Sequence, residues 1–186
     1  MTKSLWDETV LRFREEIADA APTPGGGAVA AVTAAFATAL LRMVGGISLR
    51  NVADMKRRKI EAILSRMQTC ESALARYADE DVLAFDAYME GRKSRDPSVS
   101  QTLLLDCARV PLAGAETVTE LQSLLPELEA VCPAFLSSDL ATAAYLLRAS
   151  RESLLANVKM NLDAFDDSVA KQELQERYDR LISWRS

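Results

Sequence analysis

Histidine is missing altogether from this 186-residue chain. Imidazole acid/base chemistry, Ser-His-Asp triads and His-ligated metals are therefore excluded. Cysteine is scarce: Cys70, Cys107 and Cys132 are odd in number and widely spaced, which suits reduced thiols rather than a disulfide framework or a zinc site. They read as core or surface residues. Basic charge is also short, with 22 Lys and Arg against 27 Asp and Glu and a formal net charge of −5. No nucleic-acid partner is expected, because neutralising phosphates needs a basic face. The one basic cluster, Lys56-Arg57-Arg58-Lys59, falls where a helix has its solvated side. Residues 28–47 are the one run to test as a membrane span. Seven of the twenty are alanine and the run is interrupted by Thr33, Thr38, Gly45 and Gly46, which favours the central helix of a bundle over a span. No membrane partner is expected. The opening MTKSLWDETVLRF is charged throughout and has no signal-type apolar core, so the expected location is the cytoplasm.

Sustained alternation of apolar and polar residues is absent too, while apolar residues recur at three and four throughout. The predicted fold is all-α: a single-domain antiparallel bundle of about five to six helices spanning 1–186. An opening helix is expected from Ser4 to Ala20, with Leu5, Val10, Phe13, Ile17 and Ala21 on one face, ended by Pro22 and Pro24. The second follows the glycines and stops near Gly45-Gly46. The third covers Val52 to Gly91, burying Ile60, Ile63, Leu64, Met67, Leu74, Tyr77, Ala78 and Phe85. Arg92 to Pro97 reads as a surface loop. The fourth runs from Ser98, kinks at Pro111 and ends near Leu125-Pro126; a short piece, Glu127 to Val131, leads to the fifth, Ser138 to Phe165. A charged helix over Val169 to Ile182 closes the chain.

Three features carry candidate chemistry. In Ala21-Pro22-Thr23-Pro24-Gly25-Gly26-Gly27-Ala28, three glycines open a helix whose first N–H groups lack partners, an anion site if the approach is unobstructed. The same glycines would equally permit a tight turn with close helix packing. In Asp79-Glu80-Asp81, an ordinary solvated run by type, Asp81 shares the inward phase of Tyr77 and Phe85; a carboxyl held there would have a raised pKa and could shuttle protons. On the fifth helix, Asp139, Ser150, Ser153, Asn157 and Asn161 form a polar stripe. These residues would cap the helix, bond one another or meet a ligand.

In succession, "PTPGGGAVAA", "MVGGIS", "DEDVLAFDAYM", "VPL", "SDLATAAYLLRAS" and "LLANVKMNL" resemble the cyclodeaminase/cyclohydrolase family of folate enzymes, from about Ser4 to Phe165. The resemblance implies a helical subunit that forms a homodimer and either of two activities: methenyltetrahydrofolate cyclohydrolase or formimidoyltetrahydrofolate cyclodeaminase. It implies Asp81 as proton carrier, and a folate site built from Pro24, Gly25, Gly26, Gly27, Asp139, Asn157 and Asn161. The substrate would be a reduced folate, with or without a polyglutamyl tail that Lys159, Arg148 or Arg151 could contact, and no metal or other cofactor is required. The chain departs from the family pattern in places. Ala28 stands where a serine follows the glycines, Gly46-Ile47-Ser48-Leu49-Arg50 replaces an Asn-Leu-Thr and Gly-Lys stretch, and Cys132 to Ser137 replaces a Gly-Asn-rich approach to Ser-Asp. These departures motivate an alternative, a non-catalytic member that binds a folate-like ligand or a protein partner. A purely structural helical dimer is a third possibility.

Overall fold

The computed structural model describes residues 4–94, 96–166 and 168–184. Its regular elements among these residues are all helical: α1 (Val10–Ala18), α2 (Gly26–Ser48), α3 (Asp54–Gly91), α4 (Pro97–Glu129), α5 (Ser137–Asp163) and α6 (Val169–Ser183), with short 3-10 turns at Leu5–Asp7, Leu49–Asn51 and Ala134–Leu136. Helices α2, α3, α4 and α5 close a four-membered ring in which each packs on two neighbours, and α6 lies against α4 and α5. Small residues make α2 the close-packed member. Ala28, Ala34 and Ala37 are fully buried, and Ala34 and Ala37 meet large side chains such as Leu41, Met67, Leu112 and Leu147 in one core.

Several boundaries differ from expectation. The opening helix is split, because Thr9 leaves helical geometry and its hydroxyl accepts from the Arg12 N–H at 3.1 Å to cap α1. Its apolar face is only partly buried: Leu5 and Phe13 pack on Ala31, Val32 and Ala78, while Val10 remains 73% exposed. Helix α2 runs straight through Gly45-Gly46 to Ser48. Helix α4 begins at Pro97 after an Asp96 side-chain cap and continues past both Pro111 and Pro126, absorbing the segment expected as a separate piece. Helix α5 follows the 3-10 turn directly, with no side-chain cap from Ser137, Ser138 or Asp139. Arg95 of the expected surface loop, and Met1 to Lys3 of the charged opening, lie outside the described residues.

The expected inner face of α3 is buried at Ile60, Ile63, Met67, Leu74 and Ala78, and Cys70 joins it. Lys56, Arg58 and Lys59 face solvent, with Lys59 3.0 Å from Glu127. Helix α2 is the one helix among the described residues long and apolar enough to cross a membrane, and 61% of its most apolar window is buried inside the bundle.

Candidate functional site

The glycine turn, α3, α4 and the end of α5 converge on a cleft of ≈ 140 Å³ lined by Thr23, Gly26, Gly27, Asp81, Asn157 and Asn161, with Pro22, Gly25, Phe85, Cys107 and Met160 around them. Two prolines and a cis Thr23–Pro24 peptide bring the chain to Gly25, which starts α2 in an extended conformation. The first amide to find an acceptor within the helix is Val29, on Gly25 O at 3.0 Å. Ala28 N–H donates instead to Asp81 Oδ2 at 2.8 Å. The amides of Gly26 and Gly27, both on the cleft wall, precede the first in-helix bond.

Asp81 therefore takes the place expected for a ligand anion. The helix start is an anion socket, and the protein's own carboxylate fills part of it. This placement demands glycine at 27: a Cβ there would lie 2.2 Å from Asp81 Oδ1, whereas at Gly26 it would meet only Asn157 Nδ2 at 3.4 Å. Burial pushes the Asp81 carboxyl above its ordinary value, and the Ala28 N–H draws it partly back. A carboxyl raised in this way is a better proton acceptor than an ordinary aspartate and can return the proton it takes.

The opposite wall depends on a proline. Pro111 has no N–H, so it cannot bond the carbonyl four residues earlier in α4, which belongs to Cys107. Asn161 Nδ2 donates to that carbonyl at 2.6 Å, and Asn157 Nδ2 donates to Ser153 O at 2.9 Å. With each amide nitrogen engaged, both asparagines retain an Oδ1 able to accept from a guest. Cys107 stays a protonated thiol, pushed up to about 11 by burial and by the neighbouring Asp81 charge.

The other expected site residues fall elsewhere. Pro24 shapes the turn without lining the cleft. Asp139 has the right phase but the wrong height: it sits in the first turn of α5, eighteen residues and so about 27 Å of helix from Asn157. A guest in this cleft cannot reach the Asp139 of the same chain. Ser150 is buried with its hydroxyl unpartnered among the described residues, and it does not line the cleft. Lys159, Arg148 and Arg151 are engaged with Asp163, Glu152 and the Thr119 hydroxyl respectively. Two aspartates were missed. Asp79 accepts from Ser4 Oγ at 2.6 Å and Leu5 N at 2.8 Å, and Asp86 accepts from Thr23 Oγ1 at 2.9 Å. The signal was the spacing of acids at 79, 81 and 86 along α3 opposite a Ser- and Thr-bearing N-terminal segment; only Glu80 behaves as a solvated acid, bound to Arg76.

Residues 9–180 match the family model described as formiminotransferase-cyclodeaminase. The formimidoyltransferase-cyclodeaminase of Sus scrofa is 30% identical over 97% of this chain, which spans 35% of that protein's length. The methenyltetrahydrofolate cyclohydrolase of Methylorubrum extorquens is 27% identical over 95% of this chain and 90% of its own. The crystal structure of a formiminotetrahydrofolate cyclodeaminase from Thermotoga maritima superposes with a TM-score of 0.91 at 27% identity, covering 97% of this chain and 91% of that one.

Proposed function

The chain belongs to the formiminotransferase-cyclodeaminase family, and from that premise we propose that it is an enzyme of folate one-carbon interconversion. Its reaction is that of a methenyltetrahydrofolate cyclohydrolase or a formimidoyltetrahydrofolate cyclodeaminase. The observation that carries this reading is the half-buried Asp81 carboxylate in a cleft whose lining, among the described residues, contains no lysine or arginine. Both substrates present an amidinium-type carbon, which is cationic, and a single carboxylate in a partly dry cleft attracts that charge.

The proton steps balance on Asp81. In hydrolysis, water adds to the methenyl carbon and loses a proton to Asp81. The proton then passes to N5 as the C–N5 bond breaks, leaving the 10-formyl product and one proton released to solvent overall. In deamination, N10 attacks the formimidoyl carbon and loses its proton to Asp81. That proton leaves on the departing ammonia, and the methenyl bridge remains. Neither route requires a metal or redox cofactor. Gly26 and Gly27 N–H groups face acceptors of the folate ring, and Asn157 and Asn161 Oδ1 face its donors, holding the reacting carbon beside the carboxylate. The non-catalytic alternative is disfavoured, because the cleft keeps a buried acid and a preorganised polar wall.

The finer reading is a cytoplasmic homodimer of antiparallel bundles. The short connections between α2, α3, α4 and α5 support antiparallel neighbours. A cleft of ≈ 140 Å³ is smaller than the roughly 300 Å³ and upward that encloses a drug-sized ligand, so a second subunit completes the site around the rest of the folate. The test is loss of methenyl absorbance, or ammonia release from formimidoyl-tetrahydrofolate. Wild type turns over one of them, and Asp81→Asn lowers kcat by about a hundredfold or more. Full activity in Asp81→Asn would remove the assignment.

A further inference from the structure

A hydroxyl on a binding wall can donate or accept, and Thr23 is the hydroxyl-bearing residue of the cleft lining. Threonines inside the helices spend their proton locally: Thr33 donates to Val29 O and Thr38 to Ala34 O, four residues back in the same helix. Thr23 instead donates across the fold to Asp86 Oδ1 at 2.9 Å. An ionised carboxylate has no proton to offer, so the bond runs in one direction. The hydroxyl proton points at α3, and the oxygen keeps a lone pair for another partner.

This bond sits where the chain has few other ways to hold itself. Pro22 and Pro24 on either side of Thr23 carry no N–H, and the turn is tight enough that a Cβ on Gly25 would lie 3.3 Å from Pro22 O. Asp86 itself is exposed, and a hydrogen bond made where water competes contributes modestly to folding. A second bond of the same chemistry gives the contrast. Ser4 Oγ donates to Asp79 Oδ2 at 2.6 Å, seven residues earlier on the same face of α3, yet Ser4 lies outside the cleft lining.

We propose that Asp86 is a positioning residue of the cleft: it draws the Thr23 hydroxyl proton away from the guest and so makes Thr23 Oγ1 an acceptor, read by an N–H on the pyrimidinone edge of a reduced folate. The chemistry of that ring fits the division. Its carbonyl oxygen lies next to N3–H and the 2-amino group, an acceptor beside donors along one edge. The glycine turn offers the complement from one short stretch, with the Gly26 and Gly27 amides as donors and the Thr23 oxygen, just before them in the chain, as acceptor. The ring assignment rests on the folate reading above; the direction of the Thr23 bond does not.

Equilibrium binding of tetrahydrofolate, which carries no one-carbon group to turn over, tests the pair, with steady-state kinetics measured beside it. Thr23→Val keeps the shape and removes the hydroxyl, and Asp86→Ala removes its partner. Each is expected to weaken binding roughly tenfold and to raise KM to match with kcat unchanged, and the double variant is expected to be no weaker than Thr23→Val. Thr23→Ser and Asp86→Asn, which retain a hydroxyl and an acceptor oxygen, stay near wild type. Ser4→Ala leaves the affinity unchanged, which separates the Thr23 bond from general fastening of the N-terminal segment. Two tetrahydrofolate analogues, one with methyl in place of the 2-amino group and one methylated at N3, locate the donor. Wild type is expected to lose affinity for one of them, and Thr23→Val not to distinguish that one from the parent. Undiminished affinity in Thr23→Val, or equal discrimination by the two proteins, overturns the assignment. A fall in kcat at constant KM overturns it as well, because the bond would then support Asp81 rather than the ring. A wild type that neither binds nor turns over a reduced folate removes the folate reading itself, and the ring assignment with it.

Discussion

Helix α2 has glycines at both ends, and the two pairs exist for different reasons. At its start, Gly27 is pressed by a carboxylate: an added Cβ would lie 2.2 Å from Asp81 Oδ1. Near its finish, Gly45 is pressed by hydrocarbon, with Leu64 Cδ2 at 2.7 Å, and Gly46 beside it has nothing within 4 Å. One end spends its missing side chains on admitting charge to a helix terminus, the other on packing α2 against α3 and α4. The contrast shows that a glycine's function is identified by what crowds it. Helical position alone, or the number of glycines in a row, does not identify it.

Substituting each glycine separates the two roles. Gly27→Ala is expected to drive Asp81 off the Ala28 N–H and out of register with the substrate, lowering kcat by about a hundredfold or more in a protein that still folds. Gly45→Ala is expected to leave kcat per folded molecule unchanged while costing about 1–3 kcal/mol of stability through overpacking against Leu64. Steady-state kinetics and denaturant unfolding of both variants measure the contrast, and equal kinetic losses at the two positions would erase it.

The cleft end also depends on a compensation that packing does not need. Asn161→Ala strands the Cys107 carbonyl that Pro111 leaves without a helical donor, at an expected cost of about 1–3 kcal/mol. Pro111→Ala restores an N–H four residues after Cys107. The double variant is therefore expected to recover much of the loss in urea unfolding, whereas additive losses would show that the Asn161 bond matters for another reason.

Much of this was legible in the chain itself. The 3.6-residue periodicity gave the helices, and the phase of Asp81 against Tyr77 and Phe85 set that acid apart within the Asp79-Glu80-Asp81 run. What was not legible depends on contacts between distant segments. Asp139 and Asn157 share a stripe, but phase says nothing about the five turns that separate them. The Thr9 cap splits the opening helix locally, whereas the anchoring of Ser4 and Leu5 by Asp79 is a bond across the fold that local pattern cannot encode. The glycines left an anion site and a tight turn both open at the start of α2, and only the fold puts the Asp81 carboxylate there.

A buried carboxylate at a helix start has a signature in the pH dependence of stability. The folded-state pKa of Asp81 is raised, chiefly by burial, so the folded protein holds this proton more tightly than the unfolded chain. The corresponding stabilisation is complete below the unfolded carboxyl pKa and is lost as pH rises through the folded one. Asp81→Asn keeps an oxygen for the Ala28 N–H without the charge. Its melting temperature is expected to exceed that of wild type near neutral pH, with the gap closing as pH falls toward the ordinary carboxylate range. A gap that widened on acidification would mean that the charge on Asp81 stabilises the folded state.

The smallest effect tests the far end of α2. Gly46 is helical and a Cβ there touches nothing, so Gly46→Ala removes unfolded-state freedom and adds helix propensity, an expected gain of roughly 0.5–1 kcal/mol. That sign opposes the loss at Gly45, one residue away on the same helix, and calorimetry of the two single variants resolves it. If Gly46→Ala were as destabilising as Gly45→Ala, something outside the single chain would have to press on that position.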